Sequence, residues 1–365
     1  MIIDRNSPIP QYFQLQTWLR EQIEQGVFKS GDKIPTEEEL VQITGLARAT
    51  IRQAIFNLVN MGHVTRQRRL GTFVTFRSGA TNAKDIVGVL VPDIRAGYAP
   101  ELARGIEDEA AKNKLSTILC NTDDLFVKAD FHADRLIANS VCGVIFVPTA
   151  ASDEKNRMII EKFRTRKIPV VLADRTVADI EVDHVTTDNF EGAYQLTAYL
   201  LKKGHKRIGI TLSTLFSTER SRLEGYKKAL LDNGIPPDPT IIRLHNGPFA
   251  ERHYVQSART LMSKESGVTA ILAGHDRIAY LVYSIAQDMG VSIPEHISLV
   301  GYDDLHPSCS HLISLTTMHQ PIYEMGQESL KVLLTRISDK STSIQKIDLK
   351  SHLVERTSVL PHEVR

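Results

Sequence analysis

The chain has 365 residues, 42% hydrophobic and 24% charged, with a formal net charge of +1. That length accommodates two or three domains at roughly 150 residues each, and the composition is ordinary for folded chains, so wholesale disorder is excluded. No apolar run approaches the ~20 residues that span a bilayer, and the amino terminus MIIDRNSPIPQ lacks the basic and apolar regions of a secretory signal. Cys120, Cys142 and Cys309 are widely spaced with no CxxC pair, so a reduced, cytoplasmic setting with buried thiols is expected.

The first element follows Pro10, where Phe13, Leu15, Trp18, Leu19 and Ile23 recur at helical spacing until Gly26. KSGDKIP then makes a turn. Thr36 with Glu39 three residues on is a capping box that opens a short helix running through Ile43. Gly45 turns the chain into a third helix from about Ala47 to Asn60, with Ile51, Ala54, Ile55 and Leu58 inward and Arg48, Thr50, Arg52, Gln53 and Asn57 on other faces. HVTRQRRLGTFVTF alternates as two short strands joined by a basic tip. From Leu40 to Lys84 there is no Asp or Glu, whereas Arg48, Arg52, Arg66, Arg68, Arg69, Arg77 and Lys84 fall in that span. An acid-free cationic surface is what a phosphate backbone selects, because neutralised phosphates release condensed counterions. Helix, turn, helix and basic hairpin together point to double-stranded DNA, with the third helix in a major groove.

This segment resembles the winged helix-turn-helix of the GntR family. The marks are the leading P-x-x-Q-Y, G-D-K-I-P-T-E-x-E-L, R-x-T-I-R-Q-A and G-T-F-V. The resemblance implies a DNA-facing set of Thr36, Glu37, Arg48, Thr50, Arg52 and Gln53, joined by Arg66, Arg68, Arg69 and Gly71 of the wing. Three positions depart from the family pattern. Glu38 stands where an arginine usually meets DNA, Ala47 replaces the Ser or Thr cap of the recognition helix at a local loss of roughly 1 kcal/mol, and Arg69 replaces a wing-tip glycine.

RSGATNAKD, residues 77–85, is small and polar without periodicity and reads as a linker. Beyond it, apolar runs at 86–92, 116–121, 143–148, 169–174, 207–212, 241–245, 269–274 and 297–303 alternate with amphipathic helical segments such as PELARGIEDEAAKN and YLVYSIAQDMG. Such runs imply parallel sheets covered on both faces. Their number suits two doubly wound lobes with a ligand cleft beyond the strands' carboxyl ends.

VGVLVPD, ELARGIEDEA, VTTDNFEGAYQLTAYLLKKGHKRIGI, RSRLEGY, AILAGHDRIA, ISLVGYDD and LTTMHQPIYEMG occur in that order. They resemble the effector domain of LacI-type repressors, which is related to periplasmic sugar-binding proteins. A winged head on this sensor is the arrangement of arabinose-repressor-type regulators. The resemblance implies effector contacts from Arg220, whose guanidinium would fork onto ligand oxygens. It also implies Asp303, accepting sugar hydroxyl protons, and Tyr98 and Phe249, packing on the ligand ring. His275 holds a position often occupied by Asn and keeps one donor or acceptor; Asn189 and Asp93 are further candidates. Arg222 is implied as a structural companion, and Asp304 as serving the turn. Each has a plainer reading too, since an Asp after a strand also caps, an Arg also makes surface ion pairs and aromatics also fill cores.

His306, Cys309 and His311 crowd six residues but lack a fourth ligand, so no metal is expected. His275 beside Asp276 has no GxSxG nucleophile with it, and no Walker or GxGxxG phosphate loop is present. No cofactor and no catalysis are expected. The expectation is an α/β protein, with a small α+β winged helix-turn-helix domain at 1–76, a linker at 77–85 and a two-lobed periplasmic-binding-protein-like sensor at 86–365. It would be a homodimeric repressor released from operator DNA by a monosaccharide such as a pentose. A corepressor-type regulator and a cytoplasmic sugar-binding protein without regulatory role are the alternatives.

Overall fold

Three short helices too small to bury their apolar stripes alone must share one core, and the first part of the chain folds around that need. The structure, a computed structural model, describes residues 3, 10–24, 26–60, 63–67, 70–75, 85–95, 97–246, 251–305 and 313–362. It divides into two units, Met1–Ala80 and Thr81–Arg365.

In the first unit α1 (Gln11–Glu24), α2 (Glu37–Thr44) and α3 (Arg48–Asn60) enclose Leu15, Leu19, Leu40, Ile51, Ala54 and Leu58. The capping box forms in both directions: the Thr36 hydroxyl accepts from the Glu39 amide, and the Thr36 amide donates to Glu39 Oε2 at 2.7 Å. Gly45 closes α2 in the left-handed region at φ 66°, which its lack of a Cβ permits. The hairpin β1 (Val64–Gln67) and β2 (Gly71–Val74) is antiparallel, with Val64 opposite Val74, and both valines seal the core.

The second unit begins with β3 (Ile86–Val91), α4 (Ala99–Lys112), β4 (Ser116–Asn121), α5 (Phe126–Ala138), β5 (Gly143–Phe146), α6 (Asp153–Thr165), β6 (Val170–Ala173) and β7 (Asp183–Thr187). The chain then crosses to a second lobe. There it forms α7 (Asn189–Lys202), β8 (Ile208–Ser213), α8 (Ser217–Asp232), β9 (Ile242–His245), α9 (Glu251–Leu261), β10 (Ala270–Ala273), α10 (Asp276–Asp288), β11 (Ser298–Asp303) and β12 (Thr316–His319). It returns to the first lobe for α11 (Ile322–Ser338) and β13 (Lys346–Leu349), and crosses once more for β14 (His352–Val354). The sheet orders are β13-β7-β6-β5-β3-β4 and β14-β12-β11-β10-β8-β9. All pairings in these two sheets are parallel except β12 with β14.

Parallel strands covered on both faces need apolar side chains in both directions. Val87, Val89 and Val91 pack under α4 and α11 with Leu102, Ile106, Met325 and Leu330. Leu90, from the same strand, meets Leu136, Ile159 and Phe163 of α5 and α6 on the other side. In the second lobe Ile271 and Leu299 face α9 and α10, while Ile210, Leu272 and Val300 face α7 and α8. Two helix pairs approach through glycine: a Cβ at Gly105 would run into the Tyr323 carbonyl oxygen across α4 and α11, and one at Gly225 into the Phe190 carbonyl across α7 and α8. Among the described residues no helix is long and apolar enough to cross a membrane. Three chain crossings between the lobes leave a cleft between them, beyond the carboxyl ends of their strands.

Candidate functional site

Where the strands of both lobes end lies a cavity of about 120 Å3, partly open to solvent. Asp93 follows β3, Asp124 follows β4, Asp174 and Arg175 follow β6, Phe216 follows β8, His275 follows β10 and Asp303 ends β11, and all seven line it. Tyr98, Glu219, Arg222 and Arg277 complete its polar wall.

Arg222 is buried and multiply held. Its Nε donates to Asn189 Oδ1 at 2.8 Å, its Nη1 to the Gly274 carbonyl at 2.6 Å, and its Nη2 lies 3.5 Å from Asp303 Oδ1. The guanidinium carbon also lies 3.6 Å from the Tyr302 ring centroid, a cation–π contact. Asp303 sits at φ 109°, a conformation that costs a non-glycine residue on the order of 1–3 kcal/mol and concentrates at functional sites. Gln320 Nε2 donates to Asp303 at 2.6 Å, and burial pushes the carboxyl up to about 6 despite the Arg222 guanidinium. Burial likewise pushes Glu219 up to about 7, although it accepts from the Ser213 amide at 2.5 Å. His275 goes the other way, down to about 3, first through burial and then through the Arg222, Arg277 and Arg175 charges. Its imidazole is therefore neutral, and with Nδ1 accepting from the Ile278 amide at 3.4 Å the proton sits on Nε2.

The opposite wall belongs to the first lobe. Arg175 donates to Asp124 at 2.5 Å and to the Pro148 carbonyl at 2.8 Å. Its guanidinium lies 3.9 Å from the ring centroid of Phe216 in the second lobe. Asp174, at φ 63°, is buried beside it and Tyr98 is half-buried, and desolvation raises the pKa of each. Asp93 is bound by Arg95 through Oδ1 and Oδ2 at 2.9 and 3.0 Å, which holds its carboxyl below the ordinary range. Two further links join the lobes: the Thr176 amide donates to Ser217 Oγ at 2.9 Å, and Arg220 Nη2 lies 3.5 Å from Asp153 of α6.

Of the expected effector residues, Asp93, Tyr98, His275 and Asp303 meet in the cavity wall. Asn189 stands behind Arg222 and orients it. Arg220 stands in the first turn of α8, as the sequence reading expects. It lies outside the lining and donates to the Thr214 and Leu215 carbonyls, both at 3.1 Å, while Arg222, read as a structural companion, takes the wall. The motif R-S-R carries two arginines two positions apart, roughly 200° around a helix, and only the one facing Asn189 and Gly274 reaches the cleft. Phe249, His306, Cys309 and His311 lie outside the described residues. Arg175, Asp124, Phe216, Glu219 and Arg277 were missed, yet all but the helical Glu219 and Arg277 stand just past the end of a strand, a signal the cleft rule supplies. Asp304, expected at the turn, is held by Arg356 at 2.6 Å. Asp276's two oxygens accept from the Thr317 hydroxyl at 2.7 Å and the Leu305 amide at 2.8 Å. Among the described residues no group of three His, Cys, Asp or Glu side chains could hold a metal ion.

In the first unit α3 displays Arg48 and Arg52, and β1 displays Arg66, all exposed. Thr50 is half-buried between them, and exposed Gln53 donates to Asn57 at 3.0 Å. Thr36 is committed to the capping box, and Glu37 accepts from Arg52 and Arg66. Gly71 adopts φ 125° at the start of β2, where a Cβ would meet the Lys33 side chain at 2.5 Å. Arg68 and Arg69 fall outside the described residues.

Residues 11–74 match the bacterial regulatory proteins of the gntR family, and residues 197–359 match the periplasmic binding protein-like domain. The HTH-type transcriptional repressor PurR of Actinobacillus pleuropneumoniae serotype 5b (strain L20) is 32% identical over 78% of this chain and 83% of its own length. Catabolite control protein A of Priestia megaterium is 28% identical over 87% of this chain and 96% of its own. A crystal structure of a LacI family transcriptional regulator from Enterococcus faecium with bound ribose is 31% identical, covering 76% of this chain and all of that one, with a TM-score of 0.63.

Proposed function

The chain belongs to the LacI family of transcriptional regulators, and on that footing we propose that it is an operator-binding repressor whose two-lobed sensor answers a small sugar. One observation carries the reading: a gntR-type head displaying arginines from helix and wing shares a chain with a cavity between two lobes that is lined by charged side chains. The head would be 1–76, the tether 77–85 and the sensor 86–365, an arrangement that resembles arabinose-repressor-type regulators.

Several features support a neutral polyol as effector. The wall holds five carboxylates, Asp93, Asp124, Asp174, Glu219 and Asp303, against three guanidiniums, Arg175, Arg222 and Arg277. With Asp93 already matched by Arg95 and Glu219 pushed up to about 7, the wall is close to neutral and suits alternating hydroxyl donors and acceptors. The ribose-bound relative supports a pentose. Asp303 would accept two hydroxyl protons, Arg222 and His275 Nε2 would donate, and Tyr98 and Phe216 would flank the ring.

Arg48, Thr50, Arg52 and Gln53 would enter the major groove, with Arg66, Arg68 and Arg69 on the adjoining backbone. A homodimer would present two heads to a pseudo-palindromic operator in the cytoplasm. Effector and operator would prefer different sensor states, so each would weaken the other by the same factor. A thermal-shift screen across pentoses and hexoses tests the effector class, because a specific ligand stabilises by RT ln(1 + [L]/Kd). One pentose should raise the melting temperature and then release operator in a gel shift. An effector that instead tightened operator binding would make the protein a corepressor-dependent regulator.

A further inference from the structure

Two carboxylates at the start of α2 face the cations on which DNA binding would depend. Glu37 accepts from Arg52 of α3 on Oε2 at 3.4 Å and from Arg66 of β1 on Oε1, so one side chain joins the recognition helix to the wing. Glu38 accepts from Arg48 at 3.0 Å. The Thr36–Glu39 capping box fixes the turn from which both glutamates project. The three guanidinium side chains are 57–65% exposed and Glu37 is 21% exposed, so these pairs add little to stability; the helix start favours acids at 37 and 38 but does not dictate their pairing with these three arginines.

The consequences for a nucleic acid are opposite in sign for its two parts. A carboxylate beside a phosphate-facing cation opposes the counterion-driven attraction that supplies non-specific affinity. A guanidinium already held in one direction loses less freedom on meeting a base edge, the contact that carries sequence information.

We propose that Glu37 and Glu38 are positioning residues that set operator specificity, restraining Arg48, Arg52 and Arg66 from indiscriminate phosphate binding and holding them in register for the groove. The proposal rests on the DNA-binding reading above. It turns the family departure at Glu38 from a lost contact into a selective one.

The test begins by selecting an operator from a random duplex pool with the full-length protein. Dissociation constants for that operator and a scrambled duplex are then measured from about 50 to about 200 mM salt for the wild type, Glu37→Gln, Glu38→Gln and the charge-preserving Glu38→Asp. Each Gln variant should bind the scrambled duplex roughly tenfold tighter, with a log–log salt slope steeper by about 1, and lose about tenfold in operator preference. Glu38→Asp should stay with the wild type. Unchanged scrambled affinity and slope, or a preserved preference, would overturn the proposal, as would a lowered melting temperature that assigned the pairs to stability. A wild-type protein that selects no duplex at all would defeat the functional reading itself before any variant is made.

Discussion

Asp303 concentrates the demands of the cleft in one side chain: a left-handed backbone, burial, a donating Gln320 and a guanidinium 3.5 Å away. Its carboxyl titrates near 6 because burial outweighs Arg222. Sugar hydroxyls donating to it would favour the ionised form, so proton and sugar compete. Effector affinity should be full above about pH 7 and fall toward tenfold per unit as pH drops below about 6, read by calorimetry across that range. A flat profile would remove Asp303 from the contact. Empty-protein stability is a less clean readout because the groups oppose one another. Asp303 and Glu219 hold protons in the fold that the unfolded chain has lost above about pH 4, so stability declines as pH rises through their folded values of about 6 and about 7. His275, depressed to about 3, makes the unfolded chain the better base below 6.5 and removes stability in acid. Arg222→Ala would leave buried Asp303 without its charge partner and should cost about 3–5 kcal/mol in a urea titration. Asp303, His275, Tyr98 and Asp93 were legible because each closes a strand or opens the helix after it. Arg222 was not, because which of two nearby arginines faces inward depends on Asn189 and Gly274, far away in sequence.

At the scale of elements, close helix packing is what fixes the frame around the cleft. Gly105→Ala would drive a methyl into the Tyr323 carbonyl between α4 and α11. Backbone cannot yield as a side chain can, so a loss of at least 1–3 kcal/mol is expected, seen as a lower urea midpoint. Arg220→Ala removes a partly exposed 3.5 Å link to Asp153 between the lobes and two local bonds to the Thr214 and Leu215 carbonyls. Its expected effect is under about 1 kcal/mol of stability and a few-fold at most in effector affinity, whereas loss of all effector binding would restore Arg220 to the ligand set. All eight apolar runs read as strands are strands; two-sided burial writes a continuous apolar signature in the central six, and the edge strands β4 and β9 keep enough of it to be read. β7, β12, β13 and β14 escaped that reading. β7 is polar at DHVTT and β12 at TTMH, and β13 and β14 are short edge strands of exposed and half-buried residues, whose place depends on chain crossings that no local pattern records.

For the whole molecule the account is a linkage between two ligands on one polypeptide. The strength of that linkage is limited by how differently the sugar binds the two sensor states; a ligand indifferent to them shifts nothing however tightly it holds. The most direct measurement is operator affinity of the full-length protein with and without a saturating pentose identified by thermal shift, alongside Asp303→Asn. The account predicts that the sugar weakens operator binding at least fivefold in the wild type, the lower end of ordinary allosteric coupling, and leaves the variant's unaltered affinity for operator untouched. Equal operator affinity in the empty and sugar-saturated wild type would contradict it.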